Sequence, residues 1–142
     1  MKKKIFSGLL SLAMMFDCLA MSDVAFEAKA YETCGGYWYI VLEDGTAEII
    51  KYVGREEEVV IPETLNGYTV TVIGTTTGSV TIGAFEAQCD IYSVVIPDTV
   101  ISIKENAFSE CYYLADITIP SSVTNIHSTA FDYTMSVSYI HL

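Results

Sequence analysis

Catalysis at ordinary pH usually starts from histidine, and this 142-residue chain has two, His127 and His141. Hydrolytic chemistry would need a nucleophile beside one of them and a carboxylate to orient the ring. No nucleophile has a neighbouring histidine by pattern, and no carboxylate pair recurs at a fixed place. "GTTTGS" (Gly74 to Ser79) has the glycines of a phosphate loop but lacks the lysine that follows them, and reads as a threonine-rich insertion. "LEDGTAE" (Leu42 to Glu48) clusters carboxylates, yet its spacing fits no calcium loop. Cys34, Cys89 and Cys111 form no CxxC and lie far from both histidines, so no zinc site is expected. Their odd number leaves at least one thiol unpaired. Cys89 and Cys111 read as small buried apolar residues. The inventory predicts no enzyme, no metal and no cofactor.

Charge narrows the partners. Lys2, Lys3 and Lys4 precede an apolar run, Ile5 to Phe16, that is too short to span a bilayer. Ala28 and Ala30 then supply the small residues of a cleavage site. Residues 1–30 read as a secretory signal peptide cut before Tyr31. Asp17 stands where a lipid-modified Cys18 would need a small residue, so lipidation is not expected. Beyond residue 30 only Lys51, Arg55 and Lys104 oppose fifteen carboxylates, a formal charge of about −12. That excludes nucleic-acid backbones and disfavours anionic membranes. No later apolar run is long enough to span a membrane.

The elements that would position any site follow from a repeat. Ala-Phe stands at Ala84-Phe85, Ala107-Phe108 and Ala130-Phe131, a step of 23 residues each time. Apolar columns share that step: Val80, Ile103 and Ile126; Ile91, Leu114 and Val137; Val94, Ile117 and Ile140; Ile96, Ile119 and Leu142. "VVIPETL" (Val59 to Leu65) is an earlier partial copy of "VVIPDTV" (Val94 to Val100). Ile73 fits the column of Ile103 but lies 30 residues before it, so seven residues are inserted around "GTTTGSVT". Within a copy, alternate residues are apolar, the period of a strand with one buried face. Proline ends the strand because it has no N–H for the ladder. Some 23 residues between like strands suit one coil turn that returns the chain parallel. One copy cannot bury its apolar face, so stacked copies must share a core.

"IPDTVISIKENAFSECYYLADITIPSSVTNIHSTAF" resembles the BspA-like class of leucine-rich repeats of bacterial secreted and cell-surface proteins, over Glu58 to Leu142. Lys104 and His127 stand where that class usually has glycine. Cys111 alone fits the Ala-Phe-x-x-Cys spacing, Cys89 being one position late and Thr134 replacing the third. The resemblance implies a β-rich solenoid of parallel strands with short turns, residues 58–142, acting in adhesion or protein recognition outside the cell.

Residues 31–57 contain Asp44-Gly45 between β-rich arms, a hairpin signal, and read as an N-terminal cap. By register Leu142 is the last inward residue of a strand, and a bare edge there would favour self-association. With the columns inward, the outward strand face carries Tyr92, Ser93, Val95, Asp116, Thr118, Ser138, Tyr139 and His141. That face is the expected protein-binding surface. Tyr37, Trp38 and Tyr39 form a rival site, three rings able to stack on a glycan.

Overall fold

A computed structural model describes residues 30–75, 83–134 and 138–141, the last four by their backbone. The expected signal peptide and most of the insertion lie outside the described residues. The described chain is strand and turn, with no helix among these residues.

The amino-terminal part is a meander. β1 (Glu32–Cys34) pairs antiparallel with β2 (Tyr37–Val41), and β2 with β3 (Ala47–Tyr52). The β2–β3 connection forms at Asp44-Gly45. Gly45 N–H donates to Leu42 O at 3.0 Å, and Gly45 takes φ +81°, which glycine adopts without cost. Asp44 accepts the Thr46 N–H at 2.9 Å and closes the turn.

From β4 onward the chain runs in parallel registers. β4 (Glu58–Val60), β7 (Ser93–Val95), β9 (Asp116–Ile119) and β11 (Ser138–His141) form a parallel sheet in the order β11-β9-β7-β4. β6 (Tyr68–Ile73), β8 (Ser102–Ile103) and β10 (Asn125–Ile126) extend the first sheet, parallel to β3. Ile73 pairs with Ile103 and Ile103 with Ile126. The 30-residue and 23-residue steps therefore return to the same column, as an insertion between copies requires.

Side chains of both sheets meet in one core: Ile49, Ile73 and Ile103 from one, Val59, Val94 and Ile117 from the other. The Ala-Phe pair builds the seam between copies. Phe85 N–H donates to Ala107 O at 2.7 Å, and Phe108 N–H to Ala130 O at 2.8 Å. Tyr52 N–H does the same to Ala84 O at 2.8 Å, so β3 enters the ladder as a further copy. The rings follow the backbone. Phe85 and Phe108 stack at 4.9 Å, Phe108 and Phe131 at 5.3 Å, and Tyr52 on Phe85 at 5.0 Å. Alanine lies where backbones close up: Ala84, Ala107 and Ala130 are all buried.

Three expectations change. Cys89 is exposed, whereas Cys111 is buried. The reason lies in what the column does. Cys111 Sγ–H donates to Phe85 O at 3.0 Å, and Gln88, 23 residues earlier, donates Nε2–H to Tyr52 O at 3.2 Å. The position requires a donor to the preceding aromatic corner, and Gln88 fills it. Cys89 falls one residue beyond.

The left-handed turns are also elsewhere than at Lys104 and His127. Ala87, Glu110 and Tyr133 carry φ of 57°, 59° and 60°, a column that no glycine marks. Each holds about 1 kcal/mol of backbone strain. Ladder bonds from Ala87 N–H to Ser109 O at 2.9 Å and from Glu110 N–H to Asp132 O at 2.9 Å hold the first two.

The last strand is shifted. A constant step would align Ile140 with Ile117, but Tyr139 pairs with Ile117 and His141 with Ile119.

The thiols should differ in reactivity, because the thiolate is the attacking form. Burial pushes Cys111 up to about 12. A thiol reagent added to native protein should modify Cys89 promptly and Cys111 only at the rate of unfolding. Equal rates at both would mean that the Phe85–Cys111 contact opens freely.

Candidate functional site

The four-stranded sheet turns every second residue away from the core. Val59, Val94 and Ile117 go in. Their neighbours come out in two rows, Glu58, Ser93 and Asp116, then Val60, Val95 and Thr118, each row in register. Parallel strands sit about 4.8 Å apart, so like positions form continuous lines across the sheet. Val60 is 70% and Val95 42% exposed, large values for β-branched apolar residues in adjacent strands. Tyr92, 57% exposed, stands at the entry of β7, where its N–H donates to Glu57 O at 2.7 Å and its carbonyl accepts Ala115 N–H at 2.9 Å.

Past the strand ends the prolines stack. Pro62, Pro97 and Pro120 wall one side of a shallow open groove of about 420 Å³ whose floor holds Val60, Val95 and Thr118. Pro97 O and Pro120 O accept Val100 N–H and Val123 N–H, both at 3.1 Å, and fix these turns. Glu63 and Asp98 complete the lining and are exposed.

Of the residues expected on this face, Tyr92, Ser93, Val95, Asp116 and Thr118 come together in β7 and β9. Tyr139 and His141 lie in β11 of the same sheet, but at positions opposite Ile117 and Ile119 rather than Asp116 and Thr118. Val60, Pro62 and the flanking carboxylates were not among the expected site residues, although "VVIP" in both early copies carried the signal.

The aromatic trio does not form one platform. β2 alternates, so Tyr37 and Tyr39 point into the core at 7% and 0% exposure, and only Trp38 lies on the other face. Two of the three rings are therefore closed to a glycan. Trp38 stacks on Tyr31 at 4.8 Å, with Lys51 Nζ 5.6 Å from its ring centre.

The fold does bring a carboxylate, an imidazole and a hydroxyl into line. Glu105 lies 3.2 Å from His127 Nε2, and Thr129 Oγ1 lies 2.9 Å from His127 Nδ1. Sequence pattern had paired no nucleophile with either histidine. The Thr129 N–H donates to Nδ1 at 3.3 Å, which leaves the ring proton on Nε2 facing Glu105. Thr129 Oγ1 also accepts the Asn106 N–H at 3.4 Å. Glu105 and Asn106 belong to one copy, His127 and Thr129 to the next, so these bonds tie two coil turns together.

No three His, Cys, Asp or Glu side chains among the described residues cluster as metal ligands, and no helix there is long and apolar enough to cross a membrane.

In-register parallel strands, a stacked Ala-Phe seam and Ile-Pro strand ends define a β-rich leucine-rich-repeat protein. Residues 79–142 match the family model described as "BspA type Leucine rich repeat region (6 copies)", and the repeats of this chain belong to that family. Among solved structures, a leucine rich cell surface protein from Faecalibacterium prausnitzii is 34% identical over 78% of this chain and 30% of its own, with a TM-score of 0.65. A leucine rich repeat protein of T. pallidum is 27% identical over 77% of this chain and 49% of its own, TM-score 0.67. A leucine-rich repeat protein from Bacteroides capillosus is 27% identical over 78% of this chain and 98% of its own, TM-score 0.55. The chain thus spans less than half the length of the first two. No curated protein matches it. The family and these surface-protein neighbours point to recognition of other proteins.

Proposed function

We propose that this is a secreted or cell-surface adhesion protein that recognises an extracellular protein through the outward face of β4, β7 and β9. Its repeats would stack as a short solenoid, with the β1–β3 meander covering one end. The surface would act by shape and side-chain complementarity and not by catalysis. One observation carries this reading: the exposed column Val60–Val95–Thr118, in register across three strands and walled by three prolines. Monomers seldom leave apolar side chains contiguous and open without a use. Repeat proteins place their extended recognition surfaces on such faces. Secretion rests on the leader reading of residues 1–30.

The test is binding to an array of extracellular-matrix proteins and glycans, comparing the unaltered chain with Tyr92→Ala/Val95→Thr. Both residues are exposed, so the pair should leave the melt unchanged while protein binding falls at least about tenfold, as for a central contact worth 1–2 kcal/mol or more. Protein binding that survives the pair would move the surface elsewhere. Glycan binding lost on Trp38→Ala would replace protein recognition with a carbohydrate module.

A further inference from the structure

The groove has a chemistry that narrows its partner. Its floor is apolar, yet the exposed charges around it are all negative. Glu63 and Asp98 stand beside the proline wall, and Glu58 and Asp116 stand two residues back on the same strands. None of these four carboxylates is in an ion pair among the described residues. The three bases beyond residue 30 lie elsewhere: Lys51 in β3, Arg55 in the link before β4, and Lys104 just after β8.

Resting on the strand-face reading above, we propose that the groove takes a cationic segment of extended polypeptide in which lysine or arginine flanks an apolar side chain. The apolar residue would cover Val60 and Val95. The flanking cations would answer Glu63 and Asp98 on one side and Glu58 and Asp116 on the other. Three strands about 4.8 Å apart span roughly 10 Å, the length of about three extended residues. The recognised unit is therefore short. A contact of this size binds weakly alone and gains from repeated display. A simple polycation would satisfy the rim and leave the valines wet, which is why the structure favours a polypeptide.

The probe is a seven-residue synthetic peptide alternating lysine and valine, with a glutamate–valine counterpart and spermine as controls, followed by NMR shifts and anisotropy. The lysine peptide should bind and shift the β4, β7 and β9 amides, and the glutamate peptide should not bind. Glu63→Gln/Asp98→Asn should weaken binding about fivefold or more. Glu43→Gln/Asp132→Asn, an equal charge change outside the groove lining, should alter it less than about twofold. Raising salt from about 0.05 to 0.5 M should weaken it about tenfold, as screening of exposed charges requires. Equal losses in the two double variants would overturn the proposal in favour of diffuse attraction to an acidic chain. Full competition by spermine would overturn it in favour of a bare polycation. If array binding falls with Val60→Asp yet ignores the rim variant and salt, the strand-face reading stands and the cationic partner falls. If array binding ignores Val60→Asp and the peptide does not bind, both fall.

Discussion

Phe108→Ala should destabilise the fold by about 4 kcal/mol, the range for deleting a fully buried phenylalanine. Phe108 is 0% exposed and has a ring on each side, Phe85 at 4.9 Å and Phe131 at 5.3 Å, nearly parallel to both. Nothing in a stack held at both ends can slide in to fill the gap, so the cavity term should be near its full size. The backbone ladder through Phe108 N–H and Ala130 O stays available to alanine. The loss therefore isolates the ring. A domain of this length has about 5–15 kcal/mol in total, so the melting temperature should fall by roughly 15–25 °C. Phe131→Ala should cost clearly less, because Phe131 is only half-buried. Thermal denaturation followed by circular dichroism decides it. Equal shifts for the two variants would mean that the stack is decoration and that the aliphatic columns hold the copies together.

What could be read from the sequence divides along a physical line. Features set by composition at a fixed step were legible. Ile-Pro strand ends, inward Val94 and Ile117, buried Ala107 and Phe108, and the detour before Ile103 all follow from apolar spacing, since one buried face imposes it. Features set by pairing were not. Whether β11 enters at Tyr139 or Ile140 depends on how many residues its preceding turn uses, and both positions tolerate β-prone residues. The left-handed column at Ala87, Glu110 and Tyr133 has no residue type in common. Cys89 was misjudged because the column was read as sulfur, when its requirement is a donor that Gln88 supplies.

One local signal was present and unused. Asn66-Gly67, with φ of 48° and 91°, makes the two-residue hairpin between β5 (Thr64–Leu65) and β6, a pattern that favours such turns strongly. It reverses the chain directly after the first Ile-Pro, so the early copy leaves its column sooner than the later ones. Asn66 also donates Nδ2–H to Tyr39 Oη at 2.9 Å. The groove is the least legible feature of all. Pro62, Pro97 and Pro120 lie far apart in the chain, and only the stacking of copies makes them one wall.

Alkali should unfold the chain between about pH 10 and pH 12, and the cause lies in the meander. Tyr37, Tyr39 and Tyr52 alternate into the core from β2 and β3. Burial pushes Tyr37 up to about 12, with the Glu56 charge adding to it. Burial likewise pushes Tyr39 up to about 12, helped by the bond its hydroxyl donates to Glu32 at 2.6 Å. Tyr52 is raised further by burial and by its bond to Glu56. The folded state thus holds these protons more tightly than the unfolded chain, which releases them near pH 10. Stability is complete below pH 10 and falls as pH climbs toward the folded values. Each group removes up to about 1.4 kcal/mol per pH unit across that window. The sum for three is smaller than threefold, because Tyr37 and Tyr52 lie 5.0 Å apart and share Glu56. Even so, two pH units are enough to exhaust a stability of about 5–15 kcal/mol. Tyrosinate absorbance from the buried rings should appear in the same step as the loss of β signal. Glu56→Gln should move that step to higher pH, since Tyr37 and Tyr52 would keep less of their upward shift. If tyrosinate forms while the β signal persists beyond pH 12, the three hydroxyls reach solvent without unfolding and do not anchor the meander to the repeats.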